Sequence, residues 1–221
     1  MVWLWISATL IGAYIVGGIP FGLIAGKLIK GVDIREHGSR NIGATNAARV
    51  IGWKWFPVVL ALDALKGAGP CLVGLWLSAR AGVDLALWAA LGALLGHVYS
   101  IYLRFKGGKG VATGLGVVLV LTTVPDLHVP LPGLCALGVF VLILLATRMV
   151  SVASIVASLS IPAFYYAWLG ATTFTSPYDW RFVFLTVVSL FVVVKHRANI
   201  RRIMNGNEPR IGKKKPEAQN G

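Results

Sequence analysis

The sequence predicts an all-α integral membrane protein, a bundle of about seven transmembrane helices whose short loops on one face carry the chemistry. Three observations lead there. Of the 221 residues, 57% are hydrophobic and 13% charged, against roughly a quarter charged in a soluble domain. Long runs, among them Met1–Gly26, Leu85–Leu103 and Met149–Tyr178, contain no Asp, Glu, Lys or Arg, and about 20 apolar residues suffice to cross a hydrocarbon core about 30 Å thick. The net charge of +13 lies between the apolar runs and in the tail, as in a membrane protein oriented by basic loops rather than a nucleic-acid binder.

The first span is expected at about residues 3–27; its first basic residue is Lys27, so it reads as a retained helix, not a cleaved signal. Further spans are expected at about 55–79, 85–103, 111–126, 131–148, 152–171 and 181–196. The fourth and seventh are the shortest, and Arg181 and Lys195 flank the seventh, positioned to snorkel to the two interfaces. Residues 1–212 form one domain, and 213–221 a basic, polar tail without chemistry of its own. With the amino terminus outside, 18 of the 21 Lys and Arg face the cytoplasm; only Arg80 and Arg181 fall outside, and Lys66 lies within a span. That asymmetry orients the chain, with the carboxyl terminus and all the basic loops inside a bacterial cytoplasmic membrane. Asp84, Asp126, Asp179 and a solvated His128 belong to the outer side. Cys71 and Cys135 sit in apolar runs as small core residues, so neither a disulfide framework nor a zinc site is expected.

The inner segments alternate cations with glycine and small polar residues. The first, His37–Gly52, reads HGSRNIGATNAARVIG; the second, Arg104–Gly116, reads RFKGGKGVATGLG. The third is TRMVSVAS, and the fourth, from Lys195, is KHRANIRRIMNGNEPRIG. In KGGKG, Gly107, Gly108 and Gly110 let backbone N–H groups turn toward an anion, beside the charges of Lys106 and Lys109. Thr113 is placed to cap the helix that follows, whose amino terminus favours a phosphate. The spacing is not that of a Walker A loop, and a flexible basic loop is the alternative. In the first loop Gly38 and Gly43 permit tight turns, and Ser39, Asn41, Thr45 and Asn46 offer hydroxyl and amide groups. Arg49 there supplies a planar fork for phosphate oxygens. Alternatively, Ser39 and Asn46 only cap turns. Asp63 and Lys66, three residues apart within a span, either pair with each other or touch substrate. His97 is a brace or a ligand-binding group, His196 lies beside Arg197 and Asn199, and His37 borders the first loop.

At these motifs the chain resembles the bacterial acyl-phosphate:glycerol-3-phosphate acyltransferase family. The matching stretches are IPFGLIAGK, HGSRNIGATNAARVIG, DALKG, the Gly96–His97 pair, FKGGKGVAT and HRANIRRIMNGNE, in the family's order from one end of the chain to the other. Arg40 stands where the family commonly has glycine, and Ser100 where a proline often follows the Gly-His pair. The resemblance implies transfer of a fatty acyl group from acyl phosphate to the 1-hydroxyl of glycerol 3-phosphate, giving lysophosphatidic acid and phosphate, with neither metal nor cofactor. It implies membrane lipid as the surrounding partner and no nucleic acid. Catalytic roles are expected for Ser39, Arg49, Lys109, His196 and Asn199. Substrate and phosphate contacts are expected from Gly38, Asn41, Gly43, Thr45, Asn46, Lys66, His97, Lys106, Gly107, Gly108, Gly110, Thr113, Ser151, Ser154, Arg197 and Glu208. The proton acceptor is either His196 or a phosphate oxygen of the donor, with a covalent Ser39 as the third possibility. A transporter for an organic phosphate would need polar groups along a whole pathway, often with inverted repeats, and here the cations are one-sided. A scaffold for anionic headgroups would not need paired glycine cradles.

Overall fold

The computed structural model describes residues 1–123 and 129–212; the tail at 213–221, Asp126 and His128 lie outside the described residues. The described chain is helical throughout: α1 Val2–Gly17, α2 Phe21–Lys30, α3 Ala44–Ile51, α4 Phe56–Ala81, α5 Leu85–Val98, α6 Val111–Leu121, α7 Leu131–Thr147, α8 Val150–Leu169, α9 Tyr178–Lys195 and α10 Arg197–Met204.

The expected count of seven spans is corrected by helix length. Among the described residues, Val2–Lys30, Trp53–Ala81, Leu85–Leu103 and Val150–Phe174 are long and apolar enough to cross a membrane. A fifth span exists if α9 and α10, bent by 54° at His196, count as one. The expected fourth and fifth spans fall short because α6 has 11 residues and α7 has 17. At 1.5 Å per residue α6 reaches about 16 Å, half a hydrocarbon core. α6 begins at Val111, where the span was expected to begin, but ends at Leu121 while the uncharged run continues to Pro125, so composition overcounted.

The first span is broken at Gly18–Pro20, and the break is stapled from two sides. Ser100 Oγ donates to the Gly18 carbonyl at 2.7 Å, and Lys66 Nζ donates to the Ile19 carbonyl at 2.6 Å. A helix break inside a bilayer leaves carbonyls that water cannot reach, so buried donors must meet them. Ser100 thus has a structural task where the family often has proline. Lys66 also pairs with Asp63 at 2.7 Å, both side chains being almost fully buried.

Two groups of helices result. In one, α1 lies along α5, and α4 carries α5 and α6; in the other, α7 packs on α8 and α8 on α9. The core of the first group is made of small residues, including Ala13, Ala86, Ala89, Ala90 and Ala93, which let helices approach where lipid removes the hydrophobic drive to associate. Gly92 and Gly96 bring α1 and α5 together in the same way: a Cβ on Gly96 would stand 2.2 Å from the Tyr14 carbonyl oxygen. Large apolar side chains such as Trp76, Leu142 and Leu145 point outward, where a bilayer would solvate them. Arg181 does not snorkel to an interface. It is buried, and its Nε donates to Asp84 Oδ2 at 2.7 Å, tying the start of α9 to the start of α5.

Candidate functional site

The first inner loop is shaped by one side chain. Asn46, fully buried on α3, donates from Nδ2 to the carbonyls of Ile34 at 2.8 Å, Asn41 at 2.9 Å and His37 at 3.1 Å. Its Oδ1 accepts from the Ser39 backbone at 2.8 Å. The polar atoms of Asn46 are therefore committed to the loop, and its place is that of a clamp. Asn41 Oδ1 accepts from the Gly43 N–H at 3.0 Å and turns the chain into α3. Gly38, at φ +60°, lies outside the cavity described below; a Cβ there would meet Asn46 Oδ1 at 2.4 Å. Arg40 also occupies the left-handed region, at φ 58°, and is exposed. The conformation suits the family's glycine, and the guanidinium stays outside the cavity.

The second loop is built differently from the expected cradle. The N–H groups of Gly107 and Gly108 donate to the carbonyls of Val98 at 3.1 Å and His97 at 3.0 Å. They close the carboxyl end of α5 instead of facing an anion, because those carbonyls would otherwise be left without partners. Neither glycine lines the cavity. Lys106 is exposed and also lies outside it. Thr113 does not cap α6; its buried hydroxyl meets His97 Nδ1 at 3.0 Å. His97 thus braces the turn through both its backbone and its ring, while still touching the cavity.

What does converge is a polar cavity of about 130 Å³. The amino-terminal turns of three helices meet on it: Gly43, Ala44 and Thr45 of α3, Gly110, Val111 and Ala112 of α6, and Val150 and Ser151 of α8. No side chain caps any of the three, so their first N–H groups and dipoles are open to an anion. Three cations, Arg49, Lys109 and Arg202, stand in the same lining, as do Ser39 and Ser154. Ser154 bonds its own helix at the Val150 carbonyl, 2.7 Å away, whereas the buried Ser151 hydroxyl is left without a well-formed bond, next to the Glu208 carboxylate.

The last segment places its groups by helical spacing. His196, Asn199 and Arg202 recur every three residues on one face and all enter the cavity, with Glu208 folding back beside them. Lys109 Nζ donates to Asn199 Oδ1, Asn199 Nδ2 donates to Glu208 Oε1 at 2.7 Å, and Arg202 Nε donates to Glu208 Oε2 at 2.8 Å. This chain binds the second loop to the fourth across ninety residues. The Val192 carbonyl, 2.8 Å from His196 Nδ1, can only accept. The proton therefore sits on Nδ1, and Nε2 keeps a free lone pair. Burial pushes the Lys109 ammonium down to about 8, with Arg202 and Arg49 adding to the effect and Glu208 opposing it. Burial acts to raise the Glu208 carboxyl, but the donors around it, Ser151 first and then Asn199 and Arg202, hold it below its ordinary value. Burial also lowers Arg49, which stays charged in any case.

Arg197 points away from the cavity and is exposed, and Lys66 is committed to Asp63 and Ile19. Sequence reasoning missed Arg202, although the three-residue recurrence from His196 contains it. It also missed Phe140, which no motif marks. Leu60, Val111 and Phe140 border a second, apolar space of about 120 Å³ that continues from the first between α6 and the α7–α8–α9 group.

Known proteins match over nearly the whole chain. The sequence model of the family described as "Glycerol-3-phosphate acyltransferase" matches residues 7–206. Proteins of that name are 37% identical in Acholeplasma laidlawii, covering 96% of this chain and 95% of the relative, and 41% identical in Bacillus subtilis, covering 93% and 97%. Among solved structures, PlsY (YgiH), an integral membrane glycerol 3-phosphate acyltransferase, aligns in its glycerol 3-phosphate form with a TM-score of 0.79. That match has 37% identity and covers 94% of this chain and 96% of the other. The lysophosphatidic acid form of PlsY aligns with a TM-score of 0.77 at the same identity, covering 94% and 95%. The chain is a multi-pass bacterial membrane protein.

Proposed function

Since the chain belongs to the glycerol-3-phosphate acyltransferase family, we propose that it moves a fatty acyl group from acyl phosphate to the 1-hydroxyl of glycerol 3-phosphate in phospholipid synthesis. The observation that carries this reading is the meeting of three open helix amino termini with Arg49, Lys109 and Arg202 in one cavity that opens into an apolar seam. Both substrates are phosphate monoanions or dianions, and one of them is lipidic. The relatives' structures bear the names of glycerol 3-phosphate and lysophosphatidic acid, substrate and product of this reaction.

In the reaction the hydroxyl oxygen bonds to the acyl carbon, the bond from that carbon to the bridging phosphate oxygen breaks, and its electron pair leaves with phosphate. The phosphate needs cationic holders; the developing oxyanion needs open N–H donors. We assign the first to Arg49, Lys109 and Arg202, and the second to the first turns of α6 and α8, with Ser151 as an added donor. His196 Nε2 takes the hydroxyl proton, since its lone pair is free and the residue lines the cavity. Asn199 and Glu208 position Lys109. Ser39 is treated as a phosphate contact, not a nucleophile, because no histidine bonds its hydroxyl among the described residues. The amino terminus lies outside, and the site and carboxyl terminus lie in the cytoplasm. This reading takes α9 and α10 as one bent span, since five spans, like the expected seven, leave the two ends on opposite sides of the bilayer, and four would not.

The test is purified protein in bilayer nanodiscs with acyl phosphate and labelled glycerol 3-phosphate. Lysophosphatidic acid should form, and it should fall by at least 100-fold with Lys109→Ala and with His196→Gln. Equal turnover with acyl-CoA would replace the donor class, and wild-type rates in His196→Gln would remove the base.

A further inference from the structure

The apolar seam is bounded in depth. Its walls descend in step on four helices, from Val111, Phe140, Ser154 and Val192 at the cavity to Val118, Gly133, Ile161 and Leu185 at the far end. Seven residues along α6 give a depth of about 10 Å. An extended hydrocarbon with bonds of about 1.5 Å advances about 1.25 Å per carbon, so the seam takes about eight carbons. Below it the way is closed: Val118, Leu185 and Tyr165 are buried against one another, and Tyr165 stacks on Phe182 at 6.4 Å between ring centres. Halfway down the walls are thin, at Ala136 and Ala157. The two hydroxyls at that level are inert, since Ser158 Oγ donates to the Ile155 carbonyl at 2.9 Å and Ser189 Oγ to the Ser158 carbonyl at 2.6 Å. The seam is not enclosed.

We infer that the enzyme reads only the first eight or so carbons of the donor's acyl chain, with Ala136 and Ala157 setting the permitted width and the Val118–Leu185–Tyr165 floor turning the remainder out into the bilayer. This rests on the acyl-phosphate reading above. Chain length beyond the floor goes unsensed, and a branch above it clashes. The gain is steric rather than hydrophobic, because a chain that leaves lipid for the seam exchanges one apolar medium for another.

The test measures kcat/KM in nanodiscs with lauroyl, palmitoyl and stearoyl phosphates, and with hexadecanoyl phosphates methylated at carbon 5 or carbon 14. The three straight donors and the 14-methyl donor should agree within about threefold, while the 5-methyl donor should fall at least tenfold. Ala157→Leu should lower palmitoyl transfer at least tenfold and keep acetyl transfer, whose chain ends above the waist. Leu137→Ala, which widens the same level, should recover the 5-methyl donor. A steady climb of more than tenfold from lauroyl to stearoyl, equal use of the two branched donors, or no recovery in Leu137→Ala overturns the inference while the acyltransferase survives. No transfer from any acyl phosphate by the wild type would instead bring down the reading beneath it.

Discussion

Lys109 is the residue on which the two halves of the site depend, since it is the cation at the start of α6 and also the donor to Asn199. Its ammonium is pushed down from 10.5 to about 8, so in the free enzyme it carries full charge below pH 8 and loses it above. kcat/KM should therefore fall as pH rises through about 8, and Lys109→Arg should remove that limb of the profile. Stability should move the other way. Between about 8 and 10.5 the unfolded chain holds a proton that the folded chain has released, so Lys109 makes stability rise with pH over that window. Activity and thermal melting, recorded on the same samples, should diverge; parallel losses would mean that unfolding, not the charge of Lys109, sets the activity limb. Asn46 illustrates the opposite kind of polar residue. Its atoms are fully engaged by the loop, so its effect on chemistry is through the shape of the Ser39 turn.

At the scale of elements, close approach of backbones governs the bundle. Gly96 faces the Tyr14 carbonyl at a separation that no side chain can enter, and both residues belong to the pair of helices that hold the broken first span. Gly96→Ala should lower stability by about 2 kcal/mol or more, as overpacking with a backbone clash does, and should weaken the Tyr14–Tyr99 contact at 2.6 Å. Gly12→Ala, with open space around it, should be neutral. Equal melting temperatures for the two variants would show that the contact between α1 and α5 yields more easily than the geometry implies. Three short helices, α3, α6 and α10, matter for a different reason: they bring helix ends and side chains to the cavity. A helix that stops short of crossing can place its amino terminus at the depth where a headgroup sits.

For the molecule as a whole, the arrangement requires all four inner segments on one side of the bilayer. Cysteines placed at Arg40 and Met204, both exposed, should react with a membrane-impermeant maleimide only after cells are opened, in a background lacking Cys71 and Cys135. A cysteine at the exposed Thr172 should react in intact cells. Labelling of Arg40→Cys and Met204→Cys from opposite sides would separate the first loop from the His196 segment and end the single-site account.

Membrane class and most of the cavity's residues were legible in the sequence, because hydropathy is a local sum over residues and the motifs keep their order. Span number was not, since helix length depends on where glycine turns and bends interrupt an apolar run. The roles of Gly107, Gly108 and Thr113 were misplaced for a similar reason. A backbone N–H serves whichever carbonyl lies nearest in space, and here the unpaired end of α5 is nearer than any anion. Arg202 joined the site through helical phase, and Lys66 left it because a broken helix needed a donor. Composition and order thus determined what the chain is; only the tertiary packing decided which polar groups remain free for substrate, because every buried group must first satisfy its neighbours.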